Sequence, residues 1–168
     1  GHQYLINETG GISHLAPDYE KLLAVGTDGI VAEVRSLEKG AVPGTDRWHF
    51  YQGVRIIAEG LAMFGERYAE LASQMAFAEQ DPVRKKELLA IAAVCRRVPR
   101  KGARTLQEAV QSLFFAQIAI NLESLDNSVC PGRMDRYLYP YYRDDLRTGR
   151  LTRARAKERS CFWPTERL

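Results

Sequence analysis

Apolar residues recur through most of this chain at helical intervals, with little strand pattern. Between Thr45–Asp46 and about Glu79 they fall at Phe50, Val54, Ile57, Leu61, Phe64, Tyr68, Leu71 and Met75. Steps of three and four predict one long amphipathic helix capped by Thr45 or Asp46. Gly53, Gly60 and Gly65 lie inside it, each costing about 1 kcal/mol against alanine; close helix contacts would account for them, with a kink as the alternative. Asp81-Pro82 opens the next helix, a capping side chain before a proline at the first helical position. It carries Leu88, Leu89, Ile91, Ala92 and Cys95 and stops before Pro99. The basic linker RVPRKGAR is expected to be exposed. Thr105-Leu106-Gln107-Glu108 is a capping box. Behind it Leu106, Val110, Leu113, Phe114, Gln117, Ile118 and Leu122 make a helix apolar over most of its circumference, as at the centre of a larger body.

The flanks are more broken. Tyr4–Ile6 could form a brief strand. Asp18, after Pro17, starts a helix through Tyr19, Leu22 and Leu23; Gly26 to Gly29 interrupts it, and Ile30, Val31, Val34 and Leu37 predict a second short helix to Lys39, ending at Gly40. Val42-Pro43-Gly44 is a turn. Arg133–Leu146 reads as a helix with Tyr137, Leu138, Tyr141 and Tyr142, which Pro140 should kink or end early. Thr148-Gly149 is a turn, and Thr152 can cap a last basic helix. The expectation is a single, predominantly α-helical domain of 168 residues without internal repeats.

Composition narrows the function classes. A net charge of +3 is too small to argue for nucleic acid, and the arginines of Arg143–Arg167 suit a solvated helix face. Cys95, Cys130 and Cys161 form no C-x-x-C pair and do not group with His2, His14 or His49, which argues against a zinc site and a disulfide framework and for a reducing, cytoplasmic compartment. The opening GHQYLINETGG does not resemble a signal peptide, and Ala109–Leu122 is too short and polar to span a bilayer, so no membrane partner is expected. No phosphate-binding loop, dinucleotide fingerprint, H-E-x-x-H or G-x-S-x-G occurs.

Candidate chemistry concentrates in Leu122–Tyr142, where small polar residues, a proline and a glycine separate two helices. Cys130 could be a nucleophile if a base activated it, or an unreactive small residue. Glu123, Asp126, Asn127 and Ser128 could line a polar pocket or cap the helices. Arg133 and Asp135 could pair locally, and the tyrosines suit core and interface better than a stacking box. His14, in a glycine-rich loop, could carry protons or tie the loop to a neighbour.

The stretches GGISHLAPDYEKLLAVGTDGI, DPVRKKELLAIAAVCRRVP, ARTLQEAVQSLFFAQIAINLES, PGRMDRYLYPYY and DLRTGRLT follow one another between about Gly10 and Trp163. Together, and in this order, they resemble the glycyl radical enzymes, in the branch of pyruvate formate-lyase-like dehydratases and lyases. The run Pro131–Tyr142 is the most specific. The resemblance implies a barrel around two buried loops, one with a catalytic Cys and one with a Gly that stores a backbone radical. A separate activating enzyme, using S-adenosylmethionine and an iron–sulfur cluster, would install it. It implies C–C cleavage, as in formate C-acetyltransferase, or dehydration of small polyols, in cytoplasmic anaerobic metabolism. Here no cysteine stands in the family's Gly-Cys-x-Glu loop. Arg97-Val98-Pro99-Arg100 begins like the radical motif but has Arg where the Gly belongs.

The chain is therefore expected to be an N-terminal-side fragment of such an enzyme: mainly α, the helical portion of an incomplete α/β barrel, without the catalytic residues and without a cofactor of its own. It should be inactive alone and leave apolar surface uncovered. By position, His14 matches a substrate-side His of the dehydratases, and Asn127 and Ser128 match a substrate-facing His-Ser pair. Asn127 can hydrogen-bond but cannot move protons at neutral pH. The parent's implied partners are a small-molecule substrate, the radical activating enzyme and a second copy of itself. The rival expectation is a stand-alone helical interaction module with an acidic partner; a third is non-radical chemistry at Cys130.

Overall fold

The computed structural model describes residues 16–123 and 129–155, which build five helices. In chain order they are α1 (Tyr19–Glu38), α2 (Asp46–Ala78), α3 (Pro82–Arg97), α4 (Leu106–Glu123) and α5 (Met134–Arg147). Most starts follow the local chemistry of the sequence. Asp18, Thr45 and Asp81 accept hydrogen bonds from the backbone N–H groups of Lys21, Trp48 and Val83, satisfying donors that a first turn leaves unpaired. Thr105 accepts from the Glu108 N–H at 3.2 Å. The other half of the expected capping box is redirected: the Glu108 carboxylate accepts from the Arg104 N–H at 2.7 Å. Asp145, on α5, accepts from the Leu106 N–H at 2.9 Å.

The expected break in the first helix is a kink. Gly26 has φ 66° and ψ −179° inside α1, while helix continues on both sides. Only glycine takes that conformation cheaply, and a Cβ there would lie 2.5 Å from the Arg100 carbonyl oxygen. The segment from Val98 to Ala103 crosses α1 at this point. Pro99 and Arg100 carbonyls accept from the Thr27 and Asp28 N–H groups at 2.9 and 3.0 Å, and the Ala103 N–H donates to Leu23 at 2.8 Å. The linker expected to be exposed is thus packed: Val98 is 0% exposed and Pro99 is also buried. Backbone groups freed by the kink in α1 need partners, and the linker supplies them.

The long helix reverses another expectation. Its buried residues are Tyr51 near the start and then Ala58, Ala62, Gly65, Ala69, Ala72 and Ala76, a stripe of small residues. Small residues allow α1 and α3 to approach the α2 backbone closely. A Cβ on Gly65 would lie 2.8 Å from Pro99 and 2.9 Å from the Val98 carbonyl oxygen. Gly65 is thus a contact glycine as expected, whereas Gly53 and Gly60 face open space. The large apolar stripe expected to form the core lies beside the buried one. Its middle, Leu61 and Phe64, is partly covered by the Phe115 region of α4. Phe50, Ile57, Tyr68, Leu71 and Met75 remain exposed, with Phe50 at 66% and Ile57 at 64%.

The all-round apolar α4 is central. It buries Ala109, Ser112, Leu113, Phe115 and Ala116 against the other helices and leaves Phe114 and Leu122 exposed. Tyr19, Leu22, Leu113 and Ala116 form one core cluster, and Ala69, Cys95 and Phe115 a second. Helix α5 runs through Pro140 to Arg147 and does not end early there, although a proline nitrogen cannot donate to the helix ladder.

Candidate functional site

The sequence placed the site on His14, Asn127 and Ser128. All three lie outside the described residues, as do Asp126 and Cys161; the described residues show what flanks them. Helices α4 and α5 form a hairpin whose connection holds Asn127 and Ser128. Its base is fixed by Asp145, 3% exposed, which accepts from the Leu106 N–H and, at 2.8 Å, from the Arg150 guanidinium. The two bonds of Asp145 tie the N-terminus of α4 to the C-terminal end of α5.

At the other end of the hairpin the chain re-enters at Val129 and Cys130, both half-buried. Gly132 has φ 67°, a conformation in which a β-carbon is strained. A Cβ there would stand 4.0 Å from the Ala16 side chain. Ala16 is two residues beyond His14, and Gly132 is four beyond Ser128. Ala16 and Gly132 therefore lie near one another.

Tyrosines underlie this convergence. The Tyr137 hydroxyl donates to the Pro131 carbonyl at 2.6 Å. Its ring packs 6.0 Å from that of Tyr19, whose hydroxyl donates to Gln117 Oε1 at 2.9 Å. Burial pushes both phenols above their ordinary ionisation range, so both remain donors at neutral pH. Tyr137 matches the expectation of core; Tyr139 is exposed. Arg133 and Asp135 pair locally, as weighed from the sequence, through two hydrogen bonds of 2.8 and 2.5 Å.

Sequence reasoning missed a polar cleft of about 410 Å³ between α1 and α2, lined by Thr27, Asp28, Arg35, Glu59 and Arg100 among others. Its charges answer one another. Arg100 binds Glu66 at 2.9 Å and Asp28 at 3.4 Å, Lys101 binds Asp28 at 2.6 Å, and Arg35 approaches Glu59 at 3.5 Å. Lys101, and then Arg100, hold the Asp28 carboxyl below the usual carboxylate range. The only advance signal was three charges beside glycines and a proline far apart in sequence.

Arg97-Val98-Pro99-Arg100 does not fit a radical-bearing loop. Val98 and Pro99 are buried, Arg97 pairs with buried Glu108 at 3.3 Å, and Arg100 is held by two carboxylates. The segment is structural, and no glycine stands there to hold a radical. Among the described residues, no three His, Cys, Asp or Glu side chains gather as a metal site would require, and no helix is long and apolar enough to cross a membrane.

Comparison with known proteins assigns this architecture. The profile of the family described as pyruvate formate lyase-like matches residues 4–164. The isethionate sulfite-lyase of Oleidesulfovibrio alaskensis is 34% identical over 171 aligned residues, covering 96% of this chain and 21% of the relative. A Roseburia inulinivorans structure concerned with 1,2-propanediol dehydration superposes with a TM-score of 0.80 at 39% identity, covering 85% of this chain and 18% of that one. A glycyl radical enzyme from Archaeoglobus fulgidus gives 0.78 at 38% identity, covering 86% and 19%. The chain spans about a fifth of the length of the relatives it matches. Kinship along nearly the whole chain, with the helices superposed at that identity, makes it a helical portion of the glycyl radical enzyme fold, and the chain belongs to the pyruvate formate lyase-like family.

Proposed function

We propose that this chain is the substrate-side helical portion of a glycyl radical lyase or dehydratase acting on a small hydroxylated molecule, and that it is inactive alone. The observation that carries this reading is the match of nearly the whole chain to one fifth of such enzymes, together with the convergence of Ala16 and Gly132. That convergence supports placing His14 and Ser128 beside one substrate, with Asn127 adjoining as a hydrogen-bonding group. Hydroxyl and amide side chains suit a C2 or C3 molecule with hydroxyl groups, such as those in the relatives' names. The reactive thiol and the radical glycine come from chain beyond these residues. A radical activating enzyme using S-adenosylmethionine is the proposed maturation partner, a second copy is the proposed oligomeric partner, and the compartment is the cytoplasm.

Uncovered apolar surface supports the same reading. Besides the outer stripe of α2, a groove of about 480 Å³ runs between α1, α2 and α4, lined by Leu22, Ile30, Val54, Leu61, Phe64 and Ile120 among others. A free-standing protein of this size rarely leaves so much apolar surface to water.

The test is a chimera in which residues 4–164 replace the matching fifth of the Roseburia protein. With its activating enzyme, the chimera should acquire a glycyl radical and dehydrate 1,2-propanediol. Ser128→Ala should then lower kcat/KM about tenfold, the worth of one substrate hydrogen bond. A chimera that carries the radical but is indifferent to both Ser128→Ala and His14→Ala would refute the substrate-side assignment. The 168-residue chain treated with the activating enzyme should give no radical signal, and a glycyl doublet from it would refute inactivity alone.

A further inference from the structure

We propose that Tyr137 is a positioning residue, which clamps the segment Val129–Gly132 onto the start of α1 and through that clamp tunes substrate binding in the parent enzyme. The substrate part of this inference rests on the function proposed above; the clamp does not. Three contacts carry it. The Tyr137 hydroxyl donates to the Pro131 carbonyl at 2.6 Å, a short bond for a neutral pair. The Tyr137 ring leans on Tyr19, which is 2% exposed and oriented by its own bond to Gln117 on α4. Gly132, one residue beyond the bonded carbonyl, lies near Ala16, whose side chain would be 4.0 Å from a Cβ placed on the glycine. The clamp thus joins the start of α1, α4 and the approach to α5 through two hydroxyls, one side-chain amide oxygen and one backbone carbonyl.

Pro131 precedes α5, so its carbonyl has no role in the helix ladder. The Gly132 carbonyl accepts from the Met134 N–H in a tight turn, and the ladder begins at Arg133, which accepts from Arg136 and Tyr137. The helix itself is docked independently, because Leu138 packs on the Tyr19, Leu22, Leu113 and Ala116 cluster. Removing the Tyr137 hydroxyl should therefore free the segment without undocking the helix, which separates positioning from plain stability. Burial, first, and then the neighbouring Tyr19 keep the phenol protonated, so the clamp should not open with pH in the neutral range.

The experiment compares the 168-residue chain with its Tyr137→Phe variant by residue-resolved amide hydrogen exchange and thermal melting. Exchange across residues 129–134 should quicken about tenfold, as expected when one net hydrogen bond governs a local opening. Amides in the interior of α4 and around Leu138 should hold their rates. Unchanged exchange at 129–134 would overturn the clamp, and so would an increase spread evenly along α5. If Tyr137→Phe fails to fold, Gln117→Leu loosens the same clamp through Tyr19 and should quicken exchange at residues 16–19; no change there would overturn it. In the chimera, Tyr137→Phe should raise KM for 1,2-propanediol about tenfold at unchanged radical content. An unchanged KM beside faster exchange would overturn the link to substrate while leaving the clamp intact. Failure of the Ser128 and His14 variants, by contrast, would bear on the functional assignment alone.

Discussion

Gly26 is the residue on which the packing of the first helix depends most. Its φ of 66° with ψ near 180° is available almost only to glycine, and any Cβ would meet the Arg100 carbonyl at 2.5 Å. Gly26→Ala should therefore destabilise the chain by about 3 kcal/mol or more, combining strain with steric displacement, read as a lower urea midpoint. Beside it, Lys101 and Arg100 lower the Asp28 pKa. A carboxylate depressed in the folded state contributes stability above its unfolded pKa of about 3.9 and loses it as pH falls through the folded value. Asp28→Asn should thus cost stability at pH 7 and nothing at pH 2. With the carboxylate 38% exposed, solvent screening limits the effect to about 1 kcal/mol or less; equal losses at both pH values would show that charge is not the cause. The capping roles of Asp18, Asp81 and Thr105 were legible in sequence because a cap and its N–H lie within three residues. The partner of Gly26 was not, because a carbonyl from a distant linker leaves no mark on the residues around the glycine.

At the scale of the element, α2 shows what periodicity can and cannot convey. Steps of three and four gave the helix and nearly its full length, yet the buried face is the alanine stripe beside the large one. Hydrophobicity scales weight side-chain size, whereas close packing of backbones favours small side chains, so the apolar pattern pointed about a quarter turn away. The two faces should respond oppositely to substitution. Ala69→Leu, at a site 1% exposed, should destabilise by about 1–3 kcal/mol through overpacking. Ile57→Ser and Leu71→Ser, on the exposed stripe, should each change stability by about 0.5 kcal/mol or less. Thermal melts of the three variants decide this, and a large loss for the serine variants would mean that the stripe is covered within this chain. Likewise the basic linker was read as exposed from its charges, but Arg97 and Arg100 turn to carboxylates while Val98 and Pro99 go inward.

For the whole molecule, the uncovered apolar surface is the property with the widest reach. The native chain should bind an apolar fluorescent dye, and Ile57→Ser with Leu71→Ser should reduce the signal by about half or more if the outer α2 stripe provides much of the patch. Absence of dye binding beside a sharp cooperative melt would count against an incomplete body. Family and fold class were legible in the run from Pro131 to Tyr142 and in the order of the helices. The candidate site was legible only as positions in a motif: His14, Asn127 and Ser128 lie outside the described residues, and the structure adds the meeting of Ala16 with Gly132.

The alanine stripe of α2 also has a kinetic consequence. Its partners α1 and α3 are its immediate neighbours along the chain, so the three can zip together with little loop-closure entropy. During synthesis this trio can be finished while later chain is still being made, and its outer large residues would then wait in water. Nascent glycyl radical enzymes built on this segment should accordingly pass through a partly assembled, dye-binding and chaperone-sensitive stage, whose duration is set by the arrival of later chain.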